Sequence, residues 1–230
     1  MLTSKEFVAK LESENEALFR ASELQIKHYY ENTTDKDELI DNFTGRMVNE
    51  RMNMEEISRE VAALPAGTDP EKLVLLSKQA HDEAKHFQFV KEVVEYLAGE
   101  DLDMQKAVEA HASRLEQKGA AMIKKYNCNG NPLMLGLYQL LAEGRAARNW
   151  AMMAEVIEDK FISSRYAKIA KDETFHATLG RMELEKLCDT QEAQDEINAV
   201  INNFRKDLFA ITSSKTGTLE ESAKLMEVYA

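Results

Sequence analysis

Two short stretches constrain this chain more than anything else in it: Asp82-Glu83-Ala84-Lys85-His86 and Asp172-Glu173-Thr174-Phe175-His176. Both read Asp-Glu-x-x-His. On an α-helix a glutamate and a histidine three residues apart share one face, one turn from each other. Two such pairs, with one more glutamate from each of two other helices, are the donor set that a four-helix bundle uses to hold two metal ions in its core. The duplication therefore predicts an all-α chain and asks where the other two glutamates lie.

Hydrophobic periodicity answers. A capping box at Thr3 and Glu6 opens a first helix to about Tyr30, with Phe7, Leu11, Leu18, Ala21 and His28 on one stripe. Asp35 and Glu38 open a second, to Leu64, whose stripe runs Phe43, Met47, Glu50, Met54, Ile57, Val61, Leu64 in alternating steps of four and three. Glu50 is its one charged member; Glu55, Glu56 and Glu60 fall off it and read as a solvated face. Pro65 to Thr68 form a turn, Asp69 an N-cap, Pro70 a first helical position. The third helix carries Leu73, Leu76, Ala80, Glu83, Phe87, Val90, Val94 and Leu97 inward and stops near Gly99. A less regular helix is expected over 103–126, anchored by Val108, Leu115, Met122 and Ile123. Asn131-Pro132 restarts the chain. The helix over 133–157 carries Gly136, Leu140, Glu143, Ala147, Trp150, Ala154 and Ile157 inward; the next, over 161–188, carries Ile162, Tyr166, Ile169, Glu173, His176, Gly180 and Leu187. A last long helix spans about 191–211, and 213–218 reads as a loop before a short tail helix. No strand is predicted.

Glu50 and Glu143 thus each stand alone and charged on an apolar stripe. In a helical hairpin, residues equidistant from the turn come level. The midpoint of Glu50 and Glu83 falls in the turn Pro65–Thr68, and that of Glu143 and Glu173 at Glu158, where a break is expected. Each lone glutamate is expected to face its Glu-x-x-His partner. Four buried carboxylates repel one another and are costly to desolvate without a cation; two divalent ions neutralise them. Oxygen donors with one imidazole per ion suit iron or manganese, and zinc is not excluded by donor type. Asp82 and Asp172 are candidates to accept the free N–H of the histidine on the other motif helix and fix its tautomer. His81 falls off the stripe and reads as exposed. His28 and His111 read as structural, as do Trp150 and Tyr166, and the methionines read as core filler.

Composition excludes other classes. With 41 acidic against 29 basic residues the formal charge is −12, which argues against nucleic acid and anionic membranes as partners. No apolar run approaches the roughly 20 residues of a membrane span, and the N-terminus has no signal-peptide core. Two cysteines, Cys128 and Cys188, make no disulfide framework, so a reducing cytoplasm is expected. Phosphate loops, nucleophile elbows and Cys-x-x-Cys pairs do not occur. The 230 residues are expected to form a single domain whose metal-binding helices lie at about 36–97 and 133–187.

On these ligands and spacings the chain resembles the ferritin-like di-iron carboxylate superfamily. Lys171-Asp172-Glu173-x-x-His176-x-x-x-Gly180 and Leu140-Leu141-Ala142-Glu143 are similar to motifs of aldehyde-deformylating oxygenases, and phenylacetyl-CoA epoxidase catalytic subunits share a similar plan. The resemblance implies a ferritin-like four-helix bundle with flanking helices. It implies Glu50 and His86 as terminal ligands of one iron, Glu143 and His176 of the other, and Glu83 and Glu173 as bridges. It also implies an O2-dependent oxygenase or oxidase for a small acyl, aldehyde or aromatic substrate. Electrons would come from a ferredoxin or flavoprotein, since no flavin or nicotinamide motif is visible. Manganese or a mixed manganese–iron pair, and a homodimer, stay open. The rival expectation is a ferroxidase, an iron-handling protein or a manganese-catalase-like protein with no organic substrate. An apolar substrate cavity beside the metals separates the two.

Overall fold

The computed structural model describes residues 1–229, apart from the side chains of residues 112, 116 and 117. Every regular element among the described residues is helical: α1 (Ser4–Asn32), α2 (Lys36–Ala63), α3 (Pro70–Ala98), α4 (Met104–His111), a 3-10 segment (Ala112–Gln117), α5 (Ala121–Lys125), α6 (Pro132–Tyr138), a π segment (Gln139–Glu143), α7 (Gly144–Val156), α8 (Lys160–Leu187), α9 (Gln191–Thr216), α10 (Glu220–Met226) and a closing 3-10 turn (Glu227–Tyr229). No described helix is long and apolar enough to cross a membrane. Contacts gather the chain into two compact units, one of residues 33–130 and one of residues 1–32 with 131–230.

The continuous unit is built on the hairpin of α2 and α3. Asp35 accepts hydrogen bonds from the amides of Asp37 (2.8 Å) and Glu38 (3.2 Å), and so starts α2. Asp69 accepts from Glu71 N at 3.1 Å, with Pro70 preset for the first turn of α3. Gly99 ends α3 in the left-handed region, at φ 80°. Phe43, Met47, Glu50 and Ile57 of the α2 stripe are buried, and so are Leu76, Glu83, Val90 and Val94 of α3; Leu73, in the first turn, is 43 % exposed. The segment expected as one helix over 103–126 is instead α4, a 3-10 stretch and α5. Met122 and Ile123 are buried there, whereas Leu115 is exposed. Glu60 is also not solvated. It is 7 % exposed and accepts the amide of Gly130 at 2.9 Å, while Glu56 accepts from Asn129 Nδ2 at 3.1 Å. These two carboxylates hold the turn over 127–130, where Asn127 and Gly130 take positive φ.

The discontinuous unit packs α6, α7 and α8 together and lays α1 and α9 against them. The expected capping box closes, Thr3 N reaching Glu6 Oε2 at 2.9 Å and Glu6 N reaching Thr3 Oγ1 at 3.3 Å. Asn131 and Asp159 cap α6 and α8. Buried arginines tie the helices laterally. Arg145 donates to Leu208 O (3.1 Å) and Thr212 Oγ1 (2.6 Å), and Arg205 donates to Asn15 Oδ1 (2.9 Å). Arg148 pairs with Glu23 and Glu16 of α1. At the C-terminal end the Tyr229 hydroxyl donates to Glu14 O and accepts from Leu18 N at 3.2 Å, with Arg205 over its ring. His28 is exposed rather than on the α1 stripe, which passes through Gln25 and Tyr29. The expected loop from Ser213 is helical to Thr216, so the break falls at Gly217.

Helices α6 and α8 approach closely at Gly136 and Gly180. A Cβ on Gly180 would stand 2.5 Å from Gly136 O and 2.5 Å from Leu140 N, both backbone atoms that cannot swing aside. Gly180→Ala is therefore expected to lower stability by about 3 kcal/mol, the upper end of overpacking costs, measured by chemical denaturation. A loss below about 0.5 kcal/mol would show that the two helices can part freely. Burial pushes the Cys128 thiol up to about 12 and the Cys188 thiol up to about 11. Both cysteines are buried and unbridged, so a thiol reagent at pH 8 is expected to label two groups per chain only after denaturation.

Candidate metal centre

Each unit carries one buried group of two glutamates and a histidine. In the continuous unit, α2 presents Glu50 and α3 presents Glu83 and His86, at 3 %, 0 % and 0 % exposure. The position of Glu50 on the α2 stripe turns its carboxylate inward, and the i, i+3 spacing stacks Glu83 and His86 on one side of α3. His86 Nδ1 lies 3.7 Å from Glu50 Oε2 and 3.6 Å from Glu83 Oε2. One donor atom from each of the three lies within 4.8 Å of the others, close enough to share an ion.

In the discontinuous unit, Glu143 ends the π segment and α8 presents Glu173 and His176, all buried. His176 Nδ1 stands 3.0 Å from Glu173 Oε2, and the three donors again lie within 4.8 Å of one another. In both groups the histidine turns Nδ1 to the carboxylates. An ion held there would require the proton on Nε2.

The donor chemistry fits a divalent cation. Two carboxylates and a neutral imidazole carry two negative charges, which one divalent ion balances. Without it, each unit holds two carboxylates out of water at close quarters, an arrangement that costs several kcal/mol per uncompensated charge. Buried Glu/His groups that could hold a metal ion are thus part of this fold. Nothing in the donor set selects iron over manganese.

Two features that support these groups were not evident from stripe periodicity. Asn49, next to Glu50, donates from Nδ2 to Glu50 Oε1 (3.3 Å) and accepts the amide of Ala120 on Oδ1 (3.1 Å). It fixes the Glu50 carboxylate and ties it to the segment before α5. The second feature is the π segment itself, which inserts a widened turn ending on Glu143. Every residue over 133–143 is buried, so the segment has no single inward face and its stripe gives no phase that would mark the inserted turn.

The other residues singled out in the sequence divide. Asp82 is buried, and its carboxylate meets Lys78 and, at 3.6 Å, Lys85 on its own helix. Asp172 is half-buried. His81 is exposed and His111 buried. Trp150 and Tyr166 are buried in ring contact, centroids 4.8 Å apart. Compared with family models, curated proteins and solved structures, the chain matches none of them.

Glu83→Gln separates the electrostatic and ligand roles of a buried carboxylate. In metal-free protein the substitution removes a buried charge and is expected to raise stability by about 1–3 kcal/mol. With a saturating divalent ion the order reverses, because the wild type gains binding energy that the variant lacks. Thermal melts of both proteins with and without metal provide the check. Identical responses to metal would remove Glu83 from the donor set.

Proposed function

We propose that the two Glu/His groups act together as one di-iron centre in a ferritin-like four-helix bundle, and that the protein is an O2-dependent oxidase or oxygenase for a small organic substrate. The observation that supports this reading best is the pair of buried groups, each with two carboxylates and one imidazole on equivalent helix positions. Iron bound there supplies one-electron redox chemistry and a place for dioxygen. In this reading Glu50, Glu83, His86, Glu143, Glu173 and His176 would hold the two ions. Asp82, buried on α3, would accept the ring N–H of a motif histidine and fix its tautomer. Four carboxylates cancel the charge of the two ions, so the loaded centre is neutral and tolerates dry surroundings. Those surroundings keep bulk water and stray protons from the reacting groups. Electrons come from a separate ferredoxin or flavoprotein.

Elemental analysis after iron-replete expression is expected to give about two metal ions per chain, and about one after either Glu50→Ala or Glu143→Ala. Folded protein with no metal would end the proposal. The reaction class is read from oxygen uptake by the reduced, iron-loaded protein. An oxygenase consumes O2 in proportion to an added acyl, aldehyde or aromatic substrate and forms an oxidised product. Uptake that tracks only added ferrous iron would assign a ferroxidase, and disproportionation of peroxide by manganese-loaded protein a catalase.

A further inference from the structure

A group of basic side chains in the continuous unit lies outside the metal-donor set. The 3-10 region and its flanks place His111, Arg114 and Lys118 three and four residues apart, over the α2 turn that carries Asp41, Asn42, Gly45 and Arg46. His111, Lys118 and Arg46 are buried, at 2 %, 4 % and 7 % exposure. Gly45 makes room for them. A Cβ there would stand 2.9 Å from Lys118 Nζ and 3.1 Å from His111 Cε1, so ammonium and imidazole converge on the bare backbone of α2.

Arg114 donates to Asp41 Oδ2 at 3.0 Å, and His111 Nε2 lies 3.4 Å from Asp41 Oδ1. Arg46 Nε donates to the neutral Asn42 Oδ1 at 3.1 Å. Among the described residues the guanidinium groups of Arg114 and Arg46 act on the ammonium against the Asp41 carboxylate, which is half in solvent. Among the described residues Lys118 forms no side-chain hydrogen bond or ion pair. Burial, with Arg114 and Arg46 adding to it and Asp41 opposing, pushes its ammonium down to about 8. A buried ammonium so placed, in a chain of net charge −12, calls for a compensating anion, as the buried carboxylates call for a cation.

We infer that Arg46, His111, Arg114 and Lys118 form a binding site for the oxyanion of a small molecule, a phosphate or a carboxylate. Guanidinium and ammonium donors from several directions suit an oxyanion with two or more acceptor oxygens. Gly45 and Glu50 are five residues apart on α2, a rise of about 7.5 Å. Asn49 also joins Glu50 to the amide of Ala120, two residues beyond Lys118. If the di-iron reading holds, the substrate is accordingly an anionic small molecule anchored by its charged end near Lys118. Anion binding itself does not depend on that reading.

Calorimetric titration of metal-free protein with inorganic phosphate and, separately, with acetate tests the site at constant ionic strength. The expected result is saturable one-to-one binding of at least one anion, weakened at least about tenfold by Lys118→Met and by Arg46→Gln. Preference for phosphate assigns a phosphoryl group, and preference for acetate a carboxylate. Without anion, Lys118→Met is expected to melt no lower than wild type, since it removes a buried charge, and this guards against a folding defect. No saturable heat with either anion, or equal affinity in wild type and both variants, would overturn the inference while leaving the metal proposal intact. Loss of metal binding with anion binding retained would do the opposite.

Discussion

Burying charge is the constraint on which the rest of this structure depends. Glu50, Glu83, Glu143 and Glu173 are each at most 3 % exposed, and each occupies a place that a leucine would fill at no electrostatic cost. A chain keeps such residues in its core only if something offsets the desolvation. Much of the surrounding architecture serves to hold these carboxylates in place. Caps at Asp35, Asp69, Asn131 and Asp159 fix where the four helices begin, and hence the height at which each glutamate arrives. Asn49 restrains the Glu50 carboxylate directly. Lateral ties through Arg145, Arg148 and Arg205 use charged groups to lock neighbouring helices, so that the donor helices need not rely on apolar contact alone.

What is legible in the sequence follows local chemical rules. An aspartate before a helix, a proline at its first position and a charged residue on an apolar stripe each have one dominant physical outcome. For that reason the helix starts, and the burial of Glu50, Glu83, His86, Glu143, Glu173 and His176, can be read from the residues alone. What is not legible depends on partners distant in sequence or on a loss of phase. A 3.5-residue repeat leads the α1 stripe to His28, but a straight helix of 29 residues drifts away from that repeat; Tyr29 is buried instead. Glu60 lies off the α2 stripe, yet the turn near Gly130 covers it and uses it as a cap. The 103–126 segment divides into short helices, with Gly119, a poor helix former, between the 3-10 stretch and α5. Over 133–143, with every side buried, periodicity carries no phase, and a π turn can be inserted without leaving a trace in the pattern.

Gly136 and Gly180 show how backbone proximity and site geometry meet. Their mutual contact brings α8 against the chain just where the π segment begins, at Gln139 and Leu140. A widened turn alters the direction of the residues that follow it, and Glu143 is the last residue of that turn. The glycine contact, the π segment and the direction of the carboxylate are therefore linked, although only the carboxylate stands out in the sequence.

The discontinuous unit also imposes an order of events on synthesis. Helix α1 is made before the helices that cover its apolar stripe, which belong to residues 131–230. The whole continuous unit must emerge in between. At about 5–20 residues per second, α1 waits several seconds with Phe7, Leu11 and Leu18 uncovered, while α2 and α3 can pair as soon as both have appeared. The nascent chain thus passes through a stage in which one unit is complete and the other exists only as a single amphipathic helix.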